Sequence, residues 1–265
     1  MFERPGAGIF GYLKSQGRKP SELPLNVLRQ FQEFEKIIAE QTSANNKQGG
    51  AVGAIKNAFM KVQMLGMAYS ADAEFPALKN CLDDMMARFN GDEAFQDGII
   101  LYSWIFFDFP ATKGGCPIGF KVAETLPDLK SFLDAALKTR LGIFEITNGN
   151  KAECHLKEFF TGNQVKLTQG LDTLGGSKKG SLILARPINV FGEHVIFGDI
   201  SEFPASRRST IEDMIWRKMN LFFHEENDVA SYEKMMTLAG PYWFSIIAKD
   251  DKNDILSPDH YLLYY

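Results

Sequence analysis

The chain has 265 residues, of which 45% are hydrophobic and 23% charged, ordinary globular usage that excludes a disordered chain and a disulfide-stapled miniprotein. At about 150 residues per domain, this length corresponds to one or two compact domains. Twenty-nine basic against 33 acidic residues leave a net charge of −4, which excludes wholesale wrapping of nucleic acid or an anionic membrane and leaves only a local basic patch for such partners.

Twenty-two phenylalanines predict a core rich in ring packing. Leu25, Leu28, Phe31, Phe34 and Ile38 recur at helical spacing behind Pro24, predicting a first amphipathic helix. The polar run from Ser43 to Gly50 reads as a connector, followed by a helix over Val52 to Tyr69 with Ile55, Phe59, Val62 and Leu65 inward. Phe75, Leu78, Leu82, Met85 and Phe89 mark a third helix that closes at Asn90-Gly91. A fourth starts at Asp92 and Glu93, and its apolar residues from Phe95 to Phe107 cover so many sides that it must be central. Pro110 to Gly119 reads as a loop, and Thr125 with Asp128 as the start of a fifth helix carrying Leu126 to Leu137.

After Arg140 the apolar period falls from about 3.6 towards 2. Ile143 to Ile146, Ala152 to Leu156 and Val165 to Leu167 alternate, as strands do, with turn signals at Asn148-Gly149-Asn150, Thr161-Gly162-Asn163 and Gly175-Gly176. Ser181 to Val190 and Glu193 to Gly198 read as two further strands joined at Phe191-Gly192. Helical spacing returns after Pro204, with Ser209 and Glu212 as a capping box, and a short helix over Val229 to Leu238 precedes an aromatic tail. The expected fold is therefore α+β: a helical part over 1–140, a small antiparallel β-barrel or meander over 141–204, and C-terminal helices over 205–265.

Phe95 through Leu133, with Trp104-Ile105-Phe106-Phe107-Asp108-Phe109, and Gly142 through Pro204, with Glu158-Phe159-Phe160-Thr161-Gly162, Ala185-Arg186-Pro187 and Phe197-Gly198, look familiar together. They resemble a region of unknown function in bacterial proteins that often also carry a SecA-type C-terminal metal-binding motif (SEC-C). The resemblance covers a little under half of the chain and implies an architecture without an assigned reaction. The metal motif itself, a tight cysteine cluster with a final Cys or His, is absent, since the nearest two cysteines, Cys81 and Cys116, are 35 positions apart.

Gly6 to Gly11 matches G-x-G-x-x-G but lacks the preceding strand, and Gly175 to Ser181 echoes a phosphate loop with Ser181 where the lysine belongs. Both read as surface loops. His155, His194, His224 and His260 are dispersed, and Cys154 and His155 would point to opposite faces of a strand, so no metal or cofactor is expected. Cys116, in Gly114-Gly115-Cys116-Pro117, could be an approachable thiol, but no sequence feature supplies the cation that would activate it. Glu93 and Asp97 share a helical face and read as a solvated first turn.

Three widely spaced cysteines and a first segment without a signal-like apolar run give the expectation of a reduced, cytoplasmic protein without a membrane span. No catalytic residue is assigned. The expected function is a non-catalytic binding or adaptor protein for a protein or acidic partner, with Lys178, Lys179, Arg207 and Arg208 as the candidate contacts. A hydrolase using Cys116 or a carboxylate pair, and a single-stranded nucleic-acid binder using the same basic pairs, are the alternatives.

Overall fold

Val62, Leu65 and Ala68 recur at helical spacing and are fully buried, forming the inward stripe of α1 (Gly50–Tyr69). The computed structural model describes residue 43 and residues 50–70, 72, 75–88, 100–111, 116–168, 174 and 177–213. The helix expected over Leu25 to Ile38, the start at Asp92, the Asn90-Gly91 closure and the segment after residue 213 lie outside the described residues. Within them follow α2 (Pro76–Arg88), α3 (Leu101–Phe107), α4 (Gly119–Thr125) and α5 (Lys130–Lys138).

Every residue of α3 is buried, including Trp104, Phe106 and Phe107, as the all-round apolar pattern predicts. Close approach explains how α1 can lie against it. A β-carbon at Gly66 would come within 2.7 Å of the Phe106 ring, so only glycine lets the two helices meet there. Phe197, beyond the last long strand, stands edge-on to Phe59 of α1 and Phe107 of α3 and stacks on Phe132 of α5, which ties three helices to the sheet through rings.

The helix expected from Thr125 is present as a 3-10 turn at Pro127–Leu129 leading into α5, but an unexpected helix precedes it. Gly119, expected in a loop, opens α4, and Thr125 ends it. Leu126 precedes Pro127, a position that disfavours helical backbone, and its φ of −114° and ψ of 68° break the chain before a 3-10 turn leads into α5. Thr125 caps nothing: its hydroxyl donates to Lys121 O at 3.0 Å and bonds the Tyr69 hydroxyl at 2.9 Å, pinning α4 to α1. Likewise Ser209 lies inside helical residues 208–213, which are entered through a 3-10 turn at Ala205–Arg207.

The change of period at Arg140 marks the start of a curled sheet. Its strands are β1 (Gly142–Gly149), β2 (Cys154–Glu158), β3 (Gln164–Leu167), β4 (Leu182–Ala185), β5 (Pro187–Val190), β6 (Glu193–Ile196) and β7 (Ser201–Phe203), in the order β5-β6-β3-β2-β1-β4-β7. All neighbours are antiparallel except β3 and β6, which meet in parallel at Leu167 and His194, where the curl brings the β5–β6 hairpin round to the far side of β3. The result is a half-barrel. The strand expected over Ser181 to Val190 is broken at Arg186, which leaves the ladder to bury its side chain among the helices.

Alternation divides the sheet between two cores. Ile143, Leu182, Leu184 and Ile188 face the helices, whereas Phe144, Ile146, Leu156, Ile183 and Ile196 pack with one another on the concave side. The expected α+β class with a partly closed sheet thus describes the molecule. Because Trp104 is fully buried and tilts against Phe109 at 5.3 Å, Trp104→Ala is expected to lower unfolding stability by about 3–5 kcal/mol, measured by denaturant titration.

Candidate functional site

Residues Gly142, Phe144, Glu158, Val165 and His194 come from four strands, yet all line one open cleft of about 320 Å³ at the mouth of the half-barrel. The turn from α5 into β1 supplies its other wall, with Lys138, Arg140 and Leu141. Such mouths of curled sheets are common ligand sites because the backbone is already paired and side chains converge. Here the sheet has its weakest join: β3 and β6 share one paired position, and Thr168 N donates to His194 O at 3.0 Å to hold it.

Glu158 is the acid at the end of β2. Period 2 puts it on the same face as Cys154 and Leu156, and all three are buried. Its Oε2 accepts from Phe160 N at 2.9 Å and from Thr161 N, which fixes the turn into β3. The backbone reinforces that turn, since Glu158 N donates to Asn163 O at 2.8 Å. Oε1 is buried with no hydrogen-bond partner among the described residues. On the opposite wall Asn189 and His194 join side chains at 3.3 Å, and Asn189 Oδ1 also accepts from Gly192 N at 3.2 Å, closing the two-residue turn at Phe191-Gly192.

The wall at Arg140 is held from behind. Arg186, with no exposed surface, donates from Nε to Ser103 Oγ at 2.8 Å and from Nη1 to the carbonyls of Ala136 (2.9 Å) and Thr139, and it pairs through Nη2 with Asp108. Burial pushes the Asp108 carboxyl above its ordinary range and the Arg186 guanidinium below its own, and each charge draws the other back. Four orphan carbonyls end every α-helix, and here a guanidinium from the sheet supplies donors to the end of α5.

The four basic residues singled out in the sequence fall into two kinds. Arg208 pairs with Glu145 Oε2 at 2.6 Å and covers the Phe159 ring at 5.1 Å, and Arg207 lies 5.8 Å from the Phe203 ring. Lys178 and Lys179 are exposed and make no ion pair among the described residues. The two segments are neighbours, because a β-carbon at Gly180 would stand 4.0 Å from that of Ala205, and Ser177 Oγ donates to Glu202 at 2.9 Å between them.

Cys116 is exposed and does not line the cleft. Cys154 is buried in the concave core, where desolvation pushes its thiol up to about 11, whereas His155 is half-exposed on the other face beside Glu153 at 3.4 Å. Glu153 is in turn held below the ordinary carboxylate range by its bonds to Lys166 and His155. Among the described residues no three of His, Cys, Asp and Glu cluster as metal ligands would. Glu93, Asp97, His224, His260, Gly175, Gly176 and the Gly6 to Gly11 motif lie outside the described residues. No helix among them is long and apolar enough to cross a membrane.

Comparison with family models, with curated proteins and with solved structures finds no match.

Because Arg208 and Glu145 are both partly exposed, Arg208→Ala is expected to cost no more than about 1 kcal/mol, and a joint Lys178→Ala and Lys179→Ala change about zero, in the same denaturant assay.

Proposed function

We propose that this chain is a non-catalytic binding or adaptor protein that takes its ligand in the mouth of the half-barrel. The observation that carries the reading is the cleft itself: polar groups of three strands, Glu158, Asn189 and His194, and of the α5–β1 turn converge there on Phe144, Leu141 and Val165, with no cysteine or serine on its lining. Its donors and acceptors are fixed by ladder and turn hydrogen bonds, so the site is largely formed before a ligand arrives. A cytosolic setting accords with three cysteines of which none is in a disulfide. The resemblance to the region that accompanies SEC-C motifs adds no residue role to this reading.

Two assays test it together. Backbone amide shifts on titration with a set of small organic ligands are expected to move as one group at residues 138–144, 158–165 and 187–194. A panel of chromogenic esters, amides and phosphates is expected to show no turnover above buffer. Hydrolysis that disappears in Cys116→Ser would instead establish the hydrolase alternative.

A second reading keeps the acidic or single-stranded nucleic-acid partner, on the observation that Lys178 and Lys179 project without an ion pair among the described residues. With Arg208 committed to Glu145 and Arg207 laid over the Phe203 ring, the two lysines supply two phosphate contacts rather than four, so log K should fall with log salt at a slope of about −1.4 and not near −3.

A further inference from the structure

We propose that two copies of this chain associate about a two-fold axis, each placing its Phe191 ring in the other's half-barrel cleft. The pairing rests on the binding reading above and names the occupant of the cleft.

Phe191 is costly to the fold that carries it. It opens the turn between β5 and β6, where both central residues take positive φ, 54° at Phe191 and 86° at Gly192. Asn, Asp and Gly suit the first of these positions, whereas a bulky side chain there is strained. Gly192 N closes the turn by donating to Asn189 Oδ1 at 3.2 Å, which asks nothing of the Phe191 side chain. The ring is 87% exposed, more than any other large hydrophobic side chain among the described residues. It therefore serves neither the turn nor the core, and a contact outside the chain accounts for both its conformation and its exposure.

The cleft offers what the ring lacks. Leu141, Phe144, Val165 and Pro187 give it apolar surface, and about 320 Å³ is the small end of ligand pockets, room for one aromatic side chain rather than for a helix. Phe144 presents a ring for the incoming one to meet. Charge agrees, since Glu193 beside the tip and Lys138 on the cleft lining are both exposed, opposite in sign and without an ion pair among the described residues. Position sets the symmetry. Asn189 lines the cleft, and Phe191 stands two residues further along the same hairpin, no more than about 7 Å of chain, so knob and hole share one side of the molecule. A surface that carries both can meet its own copy in an isologous contact, each ring entering the other's cleft.

The test uses the full chain. Two such contacts bury less than the roughly 1,600 Å² of a standard interface, so the dimer is expected to dissociate at about 10–100 µM by sedimentation equilibrium, and the amide shifts of Gly142, Thr161 and His194 should move on dilution. Phe191→Asn should raise the dissociation constant about tenfold or more. At about 1 µM, where the wild type is monomeric, the same variant should unfold at the wild-type temperature or above, because Asn accepts left-handed backbone. Glu193→Lys should weaken the dimer about threefold or more, and adding Lys138→Glu should restore it. A wild type that stays monomeric at about 1 mM, a dimer that Phe191→Asn leaves unchanged, or a Phe191→Asn chain that unfolds at a lower temperature overturns the pairing. So does a Glu193→Lys loss that Lys138→Glu does not repair. If the wild type is monomeric and small organic ligands still move the cleft amides, the pairing fails and the binding reading stands. If neither dilution nor those ligands move them, both fail.

Discussion

A guanidinium taken wholly out of water needs every one of its donors matched, and Arg186 meets that demand with groups from two separate parts of the chain: Ser103 and Asp108 in and after α3, Ala136 and Thr139 at the end of α5. Desolvating such a charge is expensive, and the attraction of Asp108 offsets it only because the geometry and the extra hydrogen bonds are fulfilled together. The consequence is positional. Asp108 Oδ2 also accepts from Leu141 N at 3.5 Å, so the pair grips both ends of the short turn that joins the last helix to the first strand. The Phe107 ring, 5.4 Å from the guanidinium carbon, closes the remaining side with an electron-rich face.

The cleft inherits its shape from that grip. Residues 138–141 form one wall, and the break that frees Arg186 from the ladder sets the direction in which β5 leaves β4 to form the other. Between the walls the sheet curls until β6 reaches β3 at a single position, and the concave core ends there in Phe144 and Val165. Strand β4 is buried on both faces, whereas β2 and β3 turn Lys157 and Lys166 to solvent on the face opposite the concave core. Polar groups can gather at the mouth because each is held by a local bond: Glu158 by the turn it caps, Asn189 and His194 by each other and by Gly192.

Much of this fold is legible in the sequence, and the failures are instructive. The helices α1 and α3 and the onset of the sheet follow from apolar period, because each buries one continuous pattern. The helix α4 is missed because its seven residues are too short for an apolar period to show, and Thr125, which ends it, has the residue type of a cap for the helix that follows. The parallel join of β3 and β6 is a long-range consequence of curl, invisible to any local pattern. For the site, attention to unpartnered surface charge leads to Lys178, Lys179, Arg207 and Arg208, whereas the groups that converge are Glu158, His194, Arg140 and Lys138. A signal for the first was present: alternation places Glu158 on the inward face after Cys154 and Leu156, and an acid there requires a partner or a purpose. Asp108 and Arg186 carried the same kind of signal, each a single charge inside an apolar run.

The claim on which the rest depends is that Asp108 and Arg186 act as one unit that fixes the helix-to-sheet turn, and a double-mutant cycle of denaturant unfolding with Asp108→Leu, Arg186→Met and the two combined measures it directly. Each single change leaves the other charge buried without its partner and is predicted to cost about 3–5 kcal/mol, while the combined change costs clearly less than the two together. Costs that add to within about 0.5 kcal/mol would show two independent residues and contradict the account.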